Sequence, residues 1–64
     1  MNILLEALIK RLEGEIAVVK ANINIYLKSS VGIGEHPDII GAIETQIELI
    51  ANAEEKIHTI KNNF

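Results

Sequence analysis

The residues best suited to chemistry lie together in Ser29-Ser30-Val31-Gly32-Ile33-Gly34-Glu35-His36-Pro37-Asp38, the one stretch where the helical apolar rhythm of the chain stops. Gly32 and Gly34 can adopt positive φ and let a ligand approach the backbone, and a helix N-terminus just beyond them offers free N–H groups. Lys28, Ser29 and Ser30 add donors for an anion such as phosphate. Glu35 and Asp38 would repel a bare phosphate, yet they can accept hydrogen bonds from the N–H edge of a purine while His36 or Tyr26 stacks on the base. Phosphate held by backbone, with base held by carboxylate and ring, is a coherent nucleotide site. The competing reading is a plain turn, in which the glycines end one helix, Pro37 opens the next, His36 faces solvent and Tyr26 packs in the core. Neither a GxGxxG nor a GxxxxGKS motif is present, so the loop supports no Rossmann or P-loop assignment.

Other chemistry finds little footing. Glu55-Lys56-Ile57-His58 has the Glu-x-x-His spacing of di-iron bundles, but with Ile57 toward the core Glu55 lies about 160° away at 100° per residue, in solvent. There is no Cys, and the hydroxyls of Ser29, Ser30, Thr45 and Thr59 have no evident base and orienting acid. We therefore expect a protein that is not an enzyme and that uses neither a metal nor a cofactor.

Two helices must position the loop. From Asn2 to about residue 29, Leu5, Leu8, Leu12, Ile16, Val19, Ile23 and Tyr26 recur at steps of three and four, with Ile9 and Leu27 widening the stripe. Glu6, Lys10, Glu13, Lys20, Asn24 and Lys28 form a polar flank, where Glu6 and Lys10 have the favourable i,i+4 order. On the back of this helix Ala7, Gly14, Ala17, Val18, Ala21 and Ile25 make a second seam, and two seams call for two partners. Scattered alanines on a surface helix are the plainer explanation of that seam. The second helix is expected from Pro37 to about residue 62, with Pro37 in its first position and Asp38 complementing the dipole. Its stripe reads Ile39, Ile43, Ile47, Ile50, Ala53, Ile57 and Ile60, continued by Phe64. Gln46 falls near the middle of the apolar arc, where it serves either to fix register or to touch a ligand.

A connection over about residues 30–36 makes these helices antiparallel neighbours, so residues 1–64 read as one helical-hairpin domain, about 40 Å long at 1.5 Å per residue. A chain of 64 residues buries only about 60% of its unfolded surface and is marginal without a staple or a partner. The fold class is accordingly expected to be all-α: an antiparallel hairpin that assembles into a homo-oligomeric helix bundle, a dimer or a tetramer. The core must be aliphatic, since hydrophobic residues are 48% of the chain and aromatics 3%. A net charge of −3 with six Lys and Arg leaves no basic stripe for duplex nucleic acid. With two aromatics, Tyr26 and Phe64, and no basic groove, single-stranded nucleic acid is also a poor fit. No stretch reads as a signal peptide or membrane span, and we expect a soluble, cytoplasmic protein.

The phrase Tyr26-Leu27-Lys28-Ser29-Ser30-Val31-Gly32-Ile33-Gly34-Glu35-His36-Pro37-Asp38-Ile39, set between two Ile-rich helices in so short a chain, resembles small proteins of tailed phages. Among these it resembles the anti-CBASS nucleotide sponges, oligomeric proteins that sequester cyclic dinucleotide immune signals such as cyclic GMP-AMP without cleaving them. The likeness covers size, hairpin layout and loop phrase, and does not extend residue by residue along the helices. It implies a protein of the infected host's cytoplasm whose ligand sits at subunit junctions near the loop. The loop reading then supplies the contacts: Lys28, Ser29, Ser30 and the amides of Gly32 and Gly34 to phosphate, Tyr26 and His36 to the rings, Glu35 and Asp38 to base edges. The rival expectation is a structural or interaction module that assembles with itself and binds a host protein.

Overall fold

In a computed structural model, residues 2–28 and 38–64 are described, and they form two helices. Helix α1 spans Ile3–Lys28 and α2 spans Ile39–Asn63. Asn2 opens α1: its side-chain Oδ1 accepts the Leu4 N–H at 2.7 Å and its carbonyl accepts the Glu6 N–H at 2.9 Å. At the other end of the chain the Phe64 N–H donates to the Ile60 carbonyl at 3.1 Å and closes α2. The helices run antiparallel, because Asn22, late in α1, meets Gln46, early in α2, while Ile9 and Leu12 share a cluster with Ala53 and Ile60.

The start of α2 differs from the expectation. Asp38 has φ −140° and ψ 75°, which is not helical, so α2 begins at Ile39, while Pro37, expected in its first position, lies outside the described residues. Asp38 is the N-cap: its Oδ1 accepts the Gly41 N–H at 2.8 Å, and its carbonyl accepts the Ala42 N–H at 3.1 Å. A β-carbon at residue 41 would collide with the Asp38 carboxylate, which explains a glycine three residues inside a helix. Asp38→Ala is expected to lower stability by about 1 kcal/mol, the usual worth of such a cap. For a domain this small that corresponds to a melting temperature lower by roughly 4–8 °C, and no change by thermal circular dichroism would mean that the cap is idle.

The core is thin. Ile9, Leu12, Ala53 and Ile60 are buried together, with Leu5, Ile16 and Ile57 packed against them, and Val19 is buried farther along α1. This places the tightest packing at the end where the chain termini meet. Toward the other end Ile23, Tyr26, Ile39 and Ile43 are only half-buried.

The seam also corrects the stripes. Leu8, placed in the stripe by its type, is 40% exposed, whereas Ile9, taken as a widening residue, is buried. In α1 the inward residues are therefore Leu5, Ile9, Leu12, Ile16, Val19, Ile23 and Tyr26, an unbroken alternation of four and three. The same alternation in α2 runs through Ile39, Ile43, Gln46, Ile50, Ala53, Ile57 and Ile60, so Gln46 holds a seam position and Ile47 stands outside it, 53% exposed. Leu27 and Phe64 are likewise exposed and extend neither stripe. On the polar flank Lys10 reaches Glu13 at 3.8 Å and not Glu6, and Arg11 reaches Glu15 at 3.7 Å. Such exposed pairs add only a few tenths of a kcal/mol.

Candidate functional site

Of the residues assigned to the loop site, Ser29, Ser30, Gly32, Gly34, Glu35 and His36 lie outside the described residues. The remaining three bracket the loop from its two helices. Lys28 is the exposed last residue of α1 and Tyr26 is half-buried two residues before it. Asp38 stands exposed at the start of α2. Because Asp38 is engaged in capping, one carboxylate oxygen is occupied and the Gly41 N–H is no longer available to an anion.

Tyr26 has neighbours that the sequence reading did not group with it. Asn22, Ile25, Tyr26 and Gln46 line an open cavity of about 360 Å³ on the flank of the hairpin near the loop. The Asn22 amide Nδ2 donates to Gln46 Oε1 at 3.4 Å, a long bond across the two helices. An aromatic ring beside two amides offers a stacking surface and both donors and acceptors for a flat polar ring. The signal for Asn22 lay in the register: once the helices are antiparallel with Gln46 in the seam, the α1 residue opposite it is Asn22. Gln46, whose place in the apolar arc suited either a register residue or a ligand contact, holds a seam position and accepts this one long bond.

An amide pair in which Gln46 is half-buried and Asn22 is exposed is a weaker contact than two aliphatic chains in the seam. Gln46→Leu is therefore expected to raise the melting temperature by a few degrees, equivalent to roughly 0.5–1 kcal/mol of added apolar burial. A fall in melting temperature would show that the Asn22–Gln46 pair is worth more than its length suggests.

The two long sides of the hairpin differ in character. One groove, of about 550 Å³, has charged walls in which Glu13, Lys20, Glu54 and Lys61 surround Ile16, Ala17, Ile57 and His58. The opposite groove, of about 710 Å³, is mainly apolar, with Gly14, Val18, Val19, Leu49 and Ala53 between Glu15, Asn52 and Lys56. His58 accepts the Asn62 Nδ2–H on its Nε2 at 2.7 Å, while Glu55 is exposed on α2. Among the described residues no three His, Asp or Glu side chains are grouped so as to hold a metal ion. Nor is either described helix long and apolar enough to cross a membrane.

The rear seam expected on α1 is uncovered in the single chain: Ala7, Gly14, Ala17 and Ala21 are exposed, Val18 is 62% exposed and Ile25 59%. Compared with known proteins, the chain matches no family model, no curated protein and no solved structure.

Proposed function

We propose that this chain is an interaction module, a helical hairpin that assembles with itself and binds another protein through a face that assembly leaves open. One observation carries the reading. The chain exposes 4959 Å², where a folded monomer of its 7.1 kDa mass would expose roughly 4,100 Å². Its radius of gyration is 14.8 Å against roughly 11 Å for a compact chain of this length. The excess of roughly 900 Å² is close to the ~800 Å² that one partner contributes to a stable interface. Much of the exposed surface is apolar, including Ile3, Leu4, Val18, Ile25, Leu27 and Ile40. The charged groove beside Glu13 and Lys20 is the natural surface for a second protein, since it would stay solvated on the outside of a bundle. Light scattering over a wide concentration range tests the first half of the reading: the mass is expected at twice the 7.1 kDa chain or more. A species that stays at 7.1 kDa up to millimolar concentration would end it.

A second reading, sequestration of a cyclic dinucleotide such as cyclic GMP-AMP, is favoured by the position of Tyr26. Its ring lies beside the Asn22 and Gln46 amides, and Lys28 follows two residues later toward the loop. Assembly would close this open flank with residues of a second copy. Isothermal titration with a panel of cyclic dinucleotides is the test, with heat expected for the chain and lost in Tyr26→Ala. Absence of heat across the panel would remove the nucleotide and leave the interaction module standing.

A further inference from the structure

We infer that α1 pairs with α1 of a second copy in antiparallel orientation, along the face turned away from the hairpin seam, so that large residues of one copy sit on small residues of the other. This rests on the self-assembly proposed above, and it adds the face, the orientation and the register. The face is a second alternation of three and four steps, Ala7, Arg11, Gly14, Val18, Ala21 and Ile25, roughly 160° around the helix from the seam at 100° per residue. All six are exposed in the single chain. Small residues recur every seventh position, and larger ones every seventh position between them.

That order distinguishes the two ways of pairing. In a parallel pair like meets like, so Val18 would stack on Val18 and Gly14 on Gly14, leaving wide layers next to empty ones, and Arg11 would face Arg11. In an antiparallel pair with its dyad level with residue 16, Val18 faces Gly14 of the second copy, Ile25 faces Ala7 and Arg11 faces Ala21. Every layer then sets a larger residue on a small one, and the helices can approach to the close end of the usual range, about 8 Å. Arg11 keeps its own counterion, Glu15 at 3.7 Å, while its methylene stem covers the small residue opposite.

Gly14 supplies an independent reason to expect a second copy. A β-carbon there would meet nothing within 4 Å, so the hairpin itself gives no cause for a glycine in mid-helix, where it costs about 1 kcal/mol relative to alanine. A Val18 side chain seated on it from the partner helix would. Gly14 and Val18 also line the apolar groove with Leu49, so the face continues onto α2, and the excess exposed area matches one side of a standard interface.

The chain has no cysteine of its own, which makes cross-linking a clean test. Gly14→Cys and Val18→Cys variants are prepared separately, mixed under exchange, oxidised and resolved by mass. The heterodisulfide is expected to exceed either homodisulfide by about tenfold, since only the facing pair brings Cα atoms within disulfide reach. Ala7→Cys mixed with Ile25→Cys repeats the test at another layer should the first pair disturb folding by circular dichroism. Homodisulfides in the unmixed variants would overturn the antiparallel orientation. An oligomer by light scattering with no cross-link at either layer would overturn this face while leaving self-assembly intact, whereas a monomer removes both.

Discussion

Leu12→Ala is expected to abolish most of the helical circular dichroism at 25 °C. Leu12 is the most buried large side chain of the seam, 3% exposed, and it packs with Ile9, Ala53 and Ile60. Cutting a buried leucine to alanine costs about 2–5 kcal/mol, whereas a single core of this size supplies no more than roughly 3–5 kcal/mol in total. The loss therefore equals most or all of the available stability. Among the described residues no side chain is completely buried, so few neighbours are placed to collapse into the gap. A cooperative melt close to that of the parent would mean that the hairpin seam is not the main source of stability. The contacts between copies would then have to be.

Val18→Glu separates those two sources. In the lone hairpin Val18 is 62% exposed, so the change is expected to fall within about 0.5 kcal/mol, and glutamate is the better helix former. On the second face the same change removes about 2 kcal/mol of apolar burial per copy and puts a charge against apolar surface. Self-association is expected to weaken at least about 100-fold, since every 1.4 kcal/mol is a factor of ten and the symmetry counts the loss twice. The parent should melt at higher temperature as its concentration rises, because association stabilises the folded form by mass action, and the variant should lose that dependence. Equal mass and equal concentration dependence in the two proteins would take Val18 out of any interface.

The two helices and their antiparallel pairing could be read from the apolar periodicity and from the cluster of glycine, proline and polar residues between them. What the sequence misjudged was the choice between neighbours. Leu8 and Ile9 are both aliphatic, and Ile47 looks a better core residue than Gln46. The angle around the helix decides such cases, and hydrophobicity does not: the alternation of four and three continues through Ile9 and Gln46 and leaves Leu8 and Ile47 outside. The cap escaped for a similar reason. Pro37 pointed to an earlier start, whereas the cap is the carboxylate of Asp38, which accepts the N–H of Gly41.

Of the candidate site only Tyr26, Lys28 and Asp38 lie within the described residues. Tyr26 was singled out as an aromatic near the loop, yet its amide neighbours belong to two different helices and come together only through the register. Asp38 was assigned to a base edge because it is acidic and close to the glycines. Its first engagement is with its own helix.

Residues 38 and 41 are coupled through the cap. The carboxylate of Asp38 fills the volume that a methyl group at residue 41 would need, so Gly41→Ala alone must expel it and exchange a gain in helix propensity for a lost cap, two quantities of about 1 kcal/mol each. Once the carboxylate is gone, the methyl group enters an empty place and the gain comes without the loss. The two changes together should therefore do less harm than their separate effects would add up to. Selection acting on this helix start would be expected to tolerate aspartate with glycine or a small side chain with alanine, and to pass quickly through the combination of a small side chain at residue 38 with glycine at residue 41, which has neither the cap nor the propensity gain.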